Sequence, residues 1–291
     1  MKKYLILIFA IVFMYGCYDS DNISSEVGEN KLDPKPSSDP LDQSIYEFFE
    51  TSNSTISYQY DTLEYQWNFN RNYNIYVLQE NREYLLNGVK YLNKVFGDAY
   101  SEDFKKKHFP PRIFLADSLN IGDNYSKILD MVSTSGNNHI AIGRIRENLS
   151  TADLTLYKAD INATFWGGYL YNNDKLHIPD AFFDVCKDKY DANFKYAGAF
   201  PEFKGLARDE IDTKLAGFWG ANPATTDDWY YMSPTESVDI YQYIFKITST
   251  DIGIIQPILD TYPKMKEKYT ILTEYIKKDF GIDLQEIGNN K

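Results

Sequence analysis

The chain has 291 residues, 43% hydrophobic and 25% charged, the composition of a globular protein with enough apolar mass for a sizeable core, which excludes wholesale disorder. Its 30 Lys and Arg against 42 Asp and Glu leave a formal charge of −12, a sign that repels phosphate backbones and excludes nucleic acid as an expected partner. With 2 Cys and 3 His, metal and thiol chemistry is limited, whereas 25 Tyr and 18 Phe supply rings for surfaces and clefts as well as for the core.

Residues 1–17 read MKKYLILIFAIVFMYGC: Lys2 and Lys3 are followed by an apolar run from Tyr4 to Tyr15 and then Gly16-Cys17. The run is too short to span hydrocarbon, which takes about 20 residues, so it reads as a signal peptide. A small residue followed by Cys resembles a bacterial lipobox, with Met14 where Leu is preferred. The resemblance implies cleavage after residue 16 and acyl chains, palmitate among them, on Cys17, and more than one chain anchors stably. Ordinary cleavage would instead leave a secreted soluble protein. Removing residues 1–16 takes two lysines away and moves the charge from −12 to −14. Tyr18-Asp19-Ser20-Asp21 resembles the surface-export signal of outer-membrane lipoproteins in some Gram-negative anaerobes, or is a plain solvated tether. With Cys17 lipidated, Cys186 is the remaining thiol and no internal disulfide is expected. Beside Phe182, Phe183 and Val185, it reads as a small buried hydrophobe.

Residues 17–40 comprise Cys17 and a stretch rich in Asp, Ser, Asn, Glu, Gly and Pro without apolar periodicity, which predicts a flexible tether. From Leu41 apolar residues recur with no second linker, so 41–291 reads as one domain. Leu41, Ile45 and Phe48 or Phe49 suit a short helix. Thr55-Ile56-Ser57-Tyr58-Gln59-Tyr60 alternates as a strand. Tyr84, Leu85, Val89, Leu92, Val95 and Phe96 recur at helical spacing, closed by Gly97-Asp98. Arg112–Ala116 and His139–Gly143 read as buried strands. Leu149 to Leu170 reads as a helix that Gly167-Gly168 weakens, and the last third, around Glu236–Thr248 and Tyr262–Phe280, is helical. A mixed sheet in the first half with helices in the second predicts an α+β fold.

In this order the segments resemble the zinc metallopeptidase lipoproteins associated with outer-membrane nutrient import. The match is carried by Leu41-Asp42 with Ile45, Phe48 and Phe49; by Ile56–Tyr60 and Pro111–Leu115; by Ala216-Gly217-Phe218; and by Ser233-Pro234-Thr235-Glu236-Ser237-Val238-Asp239. Tyr262-Pro263, Lys268, Tyr275 and Phe280-Gly281-Ile282-Asp283-Leu284 complete it. The resemblance implies a zincin-like single domain, a bound zinc and hydrolysis. Such a protein carries His-Glu-x-x-His on a helix, where i, i+4 spacing puts two imidazoles on one face and the Glu acts as general base. The corresponding stretch is Leu156–Gly168, and it contains no His. One register sets Asn162, Ala163 and Trp166 at the motif positions, and a shift by two residues stays open. The third ligand, a carboxylate of the later helix, falls at Asp239 or Ile240. Ala cannot accept a proton and Asn or Trp cannot replace imidazole, so the zinc chemistry is expected to be lost and no cofactor is expected.

Other groups carry blander readings. His108, His139 and His177 show no ligand spacing, and His177 with Cys186 lacks an orienting third group. Glu236 and Asp239 could be paired carboxylates but suit a helix start. Asp209, Glu210, Asp212, Asp227 and Asp228 read as solvated loop charges, and Asn172-Asn173-Asp174 as a turn. Trp219, Trp229, Tyr230 and Tyr231 surround a loop-like stretch where rings could stack on sugars, grip a peptide, or pack a loop over the former cleft. Trp166 and Tyr169 are expected to project into that cleft. The expectation is thus an outer-membrane lipoprotein facing the cell surface, binding a peptide or glycan beside an import complex. The alternatives are an active metallopeptidase with non-standard ligands and a carbohydrate-binding lipoprotein.

Overall fold

The computed structural model describes residues 33–66, 74–121, 129–146, 151–223 and 231–290. Cys17, Trp229 and Tyr230, together with the expected signal peptide and most of the expected tether, lie outside the described residues.

The first helix, α1 (Pro40–Ser52), begins at the last residue of the expected tether, because Asp39 accepts hydrogen bonds from the backbone N–H groups of Leu41 and Asp42 and Pro40 fixes the first helical position. It buries Leu41, Ile45 and Phe48, and ends on Asn53 at φ 58. β1 (Thr55–Ser57) is shorter than the alternating pattern predicts, because Tyr58 already belongs to a turn over α1, its hydroxyl donating to Asp42 Oδ1 at 3.0 Å. After α2 (Thr62–Gln66) and β2 (Asn74–Val77), Asn81 caps α3 (Arg82–Val95), whose Leu85, Val89, Leu92 and Val95 form one buried stripe. Ser101 caps α4 (Glu102–His108).

The strands β3 (Arg112–Leu115), β4 (Ser118–Ile121), β5 (Leu129–Asp130), β6 (Ser133–Ser135) and β7 (His139–Ile142) build two sheets. One has the order β1-β3-β7-β6, the first three strands parallel and β6 antiparallel at the edge. The other, β2-β4-β5, is antiparallel. β3 and β7 are near-continuous apolar runs because parallel strands are covered on both faces. Register pairs Ile56 with Ile113 and Ile113 with Ile140. Phe114 lies opposite Ala141, where the small residue admits the ring.

After β7 the regular elements among the described residues are helices, apart from one bridge between Asn193 and Met232. α5 (Thr151–Ala163) runs on without a break as a wider, π-type helix, Thr164–Tyr171. Gly167 and Gly168 do not weaken it; they make room. A Cβ on Gly167 would lie 3.3 Å from the Tyr241 Cα, and one on Gly168 would lie 2.5 Å from Ser135 Oγ, so only glycine lets the helix sit this close to its neighbours. Beyond α6 (Asp180–Asp184) come three short 3₁₀ turns, then α7 (Glu236–Ser249), α8 (Ile252–Thr261), α9 (Pro263–Phe280) and α10 (Leu284–Asn289). The result is the expected α+β organisation: a mixed sheet early, helices late, with ten α-helices among the described residues.

The main core lies between the four-stranded sheet, α3, α5 and α7. It is unusually aromatic: Phe96 stacks on Phe109 at 4.4 Å, and Phe165 and Trp166 meet edge to face at 5.4 Å. Such pairs contribute about 0.5–1.5 kcal/mol each beyond the area they bury. Among the described residues no helix is long and apolar enough to cross a membrane.

Candidate functional site

If a later helix is to supply a third ligand to a metal held on α5, the ligands must stand on the face of α5 that packs against α7. Asn162 and Trp166 do not stand there, and Ala163, which is buried, carries no donor atom. Asn162 is fully buried, its amide donating to Lys158 O at 2.7 Å and to Val95 O at 3.3 Å. Its carbonyl oxygen accepts from Tyr100 Oη at 2.6 Å, and Tyr100 Oη accepts in turn from Trp166 Nε1 at 2.8 Å. Trp166 is fully buried against Phe104, Phe165 and Phe280, and Tyr169 is buried beneath Lys175, whose Nζ lies 3.8 Å from the ring centroid. Neither ring projects into a cleft. Burying these large apolar faces costs less than exposing them.

The shift by two residues brings different groups to the α7 face. Asp160 and Thr164, one turn apart, both point at the edge strand β6 and at α7. Ser133 Oγ donates to Asp160 Oδ2 at 2.6 Å and lies 2.8 Å from Thr164 Oγ1. Tyr241 Oη, from α7, donates to Asp160 Oδ1. Both carboxylate oxygens are therefore committed, and three elements are tied by one acid. Burial pushes the Asp160 carboxyl above its ordinary range while the bonds from Ser133 and Tyr241 oppose the shift, and burial pushes the Tyr241 phenol up. Tyr241 was invisible to motif reading. The available signal is Asp160 and Thr164, polar at i, i+4.

Asp239 faces the other way: it lies in the first turn of α7, as a helix-start acid should, but its carboxylate is turned into the protein. The side-chain cap of α7 is Thr235, through Val238 N. Asp239 is fully buried, and its Oδ2 is paired with the Lys268 ammonium of α9 and accepts from Tyr190 Oη at 2.8 Å. Its Oδ1 has no hydrogen-bond partner among the described residues. Lys268 is fully buried as well. Its Nζ also donates to Gly217 O at 3.3 Å and sits within 4.5–5.4 Å of the ring centroids of Phe182, Tyr190, Phe218 and Tyr243. Rings on four sides and a carbonyl replace the water that an ammonium loses on burial. Cys186, expected as a buried hydrophobe, is one: its Sγ donates to Ala216 O at 3.0 Å, and burial pushes its thiol up. Ile240 is buried in the core.

The remaining candidates scatter. His108 ends α4 against Phe104 and Phe280, His139 begins β7 beside Phe114, and His177 is exposed in the loop before α6. Burial holds the His139 imidazole down, to a pKa of about 4. Asp212 caps the turn Thr213–Ala216 and accepts from Lys214 and Tyr262, while Asn173 donates to Gly136 O and Tyr169 O, so neither stretch is a ligand loop. Trp219 is half-buried, edge-on to Tyr243 at 5.9 Å, and its Nε1 lacks a partner among the described residues.

Zinc takes imidazole nitrogen and thiolate, with at most a carboxylate or two, in four-fold coordination. Asp160, Thr164, Tyr241 and Ser133 offer one carboxylate whose oxygens are both engaged and three neutral hydroxyls, so the donor set does not fit that metal. No group of three or more His, Cys, Asp or Glu suited to a metal ion occurs among the described residues.

No known family profile matches this chain, and no curated protein matches it. Among solved structures it is similar to a protein of Bacteroides caccae described as a "putative zinc-binding metallo-peptidase", with a TM-score of 0.54 and 13% identity, covering 86% of this chain and 88% of the other. That likeness is one of fold: the α+β frame is shared with a metallopeptidase-like protein.

Proposed function

We propose that this chain is a zincin-like protein whose metal site has been replaced by a hydrogen-bonded clasp, and that it works by binding rather than by hydrolysis. The observation that carries the reading is the clasp itself. The α5 face toward α7 presents Asp160 and Thr164 in place of two imidazoles, and Tyr241 in place of a third ligand, with every Asp160 oxygen bonded to protein. The basic-apolar-Cys17 leader and acidic residues after it support an acylated outer-membrane protein facing the cell surface. In that setting the binding role is accessory to nutrient uptake, with a peptide or glycan fragment as ligand.

The test is elemental mass spectrometry of residues 18–291, prepared without a His tag, exposed to zinc and dialysed. Zinc far below one atom per chain is expected. Near-stoichiometric zinc would overturn the reading and favour a peptidase with unusual ligands. A second reading, recognition of a glycan at the half-buried Trp219, is favoured by that ring and the neighbouring Gln242, whose Nε1 and Oε1 are buried atoms without partners among the described residues. It predicts glycan affinity that Trp219→Ala abolishes. Anchoring is checked by palmitate labelling, expected to vanish in Cys17→Ala, and surface exposure by protease shaving of intact cells.

A further inference from the structure

A second site lies on the opposite flank of α5. Asp160 and Thr164 project toward β6 and α7, whereas Leu154 and Lys158 come up on the other side, as the 3.6-residue period requires. There the last turn of α3, the α7–α8 junction and α10 enclose a cavity of about 460 Å³, within the size range of small-molecule pockets. Val95 and Ile287 are buried in its wall, Leu154 is half-buried, and Ile254 is 65% exposed at its mouth, one of the few large hydrophobics left to solvent. An apolar side chain held open over an apolar cavity is the arrangement that a ligand's hydrocarbon would cover.

The polar groups narrow the chemistry. Lys158 Nζ donates to Ile287 O at 2.9 Å and to Asn290 O. An ammonium carries three protons, so one remains, and no carboxylate of the described residues pairs with it. Burial lowers the Lys158 pKa, the mark of a cation short of a counter-charge. Lys94, in the last turn of α3, lines the same cavity and has no ion pair among the described residues. Two acids are also in the wall. Asp251 is occupied in capping α8, accepting from Gly253 N at 2.7 Å, and Asp98 is exposed at the rim. That balance of two cations and two acids tolerates a single negative charge and disfavours a dianion such as a phosphate monoester.

We propose that this cavity binds an apolar monocarboxylate, its hydrocarbon lying on Leu154, Ile254 and Ile287 and its carboxylate meeting Lys158 and Lys94. The site is independent of the clasp and stands or falls apart from the reading of the metal site.

The probes are octanoate, octanol and octylammonium, titrated by calorimetry into residues 18–291. Octanoate is expected to bind at least tenfold more tightly than either of the others, the margin of a charge-assisted hydrogen bond. Lys158→Met is expected to erase that margin while leaving octanol unaffected, and Lys94→Met to reduce it by a smaller factor. Leu154→Trp, which fills the cavity, is expected to abolish binding of all three, with unchanged circular dichroism showing that the fold persists. Equal affinities for the three probes, a preference for octylammonium, or no binding of octanoate would each overturn the proposal. Where Lys158→Met does not fold, the head-group preference of the unaltered protein and the Lys94→Met response decide it.

Discussion

Two acids sit one on each side of α7, and they are buried by opposite means. Asp239 is sealed completely and faces a lysine that is sealed with it, inside a box of four rings. Asp160 is partly buried and is met by neutral hydroxyls from β6 and α7, with no cation in direct contact. In the first, charge answers charge, and removing either partner strands an ion where water cannot reach. In the second, dipoles answer charge, and the acid remains close enough to solvent to change its protonation. The Asp239 side ties α7 to α9, whereas the Asp160 side ties α5 to α7 and to the edge strand β6.

The largest expected effect tests the sealed pair. Lys268→Met leaves Asp239 uncompensated and is expected to cost about 3–5 kcal/mol of unfolding free energy, read from urea denaturation followed by far-UV circular dichroism. The double variant Lys268→Met with Asp239→Leu removes both charges and is expected to recover most of that loss. A single variant as stable as the parent would show that Asp239 does not need its cation, and the contrast would fail.

Acid titration sharpens the comparison once His139 is accounted for. Its folded pKa of about 4 lies below the ordinary value of 6.5. Between those values the unfolded chain binds more protons than the folded one. Stability from this group is therefore fully present above pH 6.5 and is lost as the pH falls toward 4. A shift of that size is worth about 3 kcal/mol. His139→Phe is expected to flatten the stability curve over that window, and a curve that keeps its slope would place the titration elsewhere.

Asp160→Asn is expected to cost about 1–3 kcal/mol at neutral pH, since an amide offers one acceptor where Ser133 and Tyr241 each supply a donor. It also has its own pH signature, opposite in sign to that of His139. The raised Asp160 pKa means that the folded state holds a proton the unfolded state has lost, so stability falls as pH rises from the ordinary carboxyl value to the folded one. The variant is expected to lose that slope.

Much of the frame was legible in the sequence because local and global preferences agree there. The helices of Leu41, Ile45 and Phe48 and of Leu85, Val89, Leu92 and Val95 announce themselves by apolar spacing, and the Ile113 and Ile140 strands by apolar runs. What composition and spacing could not give is the side of a helix that faces a given neighbour when polar residues occur on several of its sides. α5 is such a helix, with Lys158, Asp160 and Asn162 pointing in different directions, so spacing alone does not place Trp166 in the core or Asp160 on the α7 face. Gly167 and Gly168 misled for a related reason: the close approach that requires them is made by Tyr241 and Ser135, distant in sequence. Asp239 was read as a helix-start acid because nothing local reveals a lysine 29 residues away pointing back at it.

The smallest effect is the most specific to the clasp. Tyr241→Phe keeps the ring that packs on Phe245 and removes the one hydroxyl that α7 contributes to Asp160. The lost bond and the carboxylate oxygen left without a donor together cost about 1–3 kcal/mol if the site stays dry, and less if water takes the place of the phenol. Because Asp160 is partly exposed, the smaller value, about 1 kcal/mol, is expected. Tyr241→Phe and Asp160→Asn should also be non-additive, since each breaks the same bond, and the double variant should cost little more than Asp160→Asn alone. Full additivity would mean that the two side chains act independently, and the clasp would then be two unrelated contacts rather than one unit.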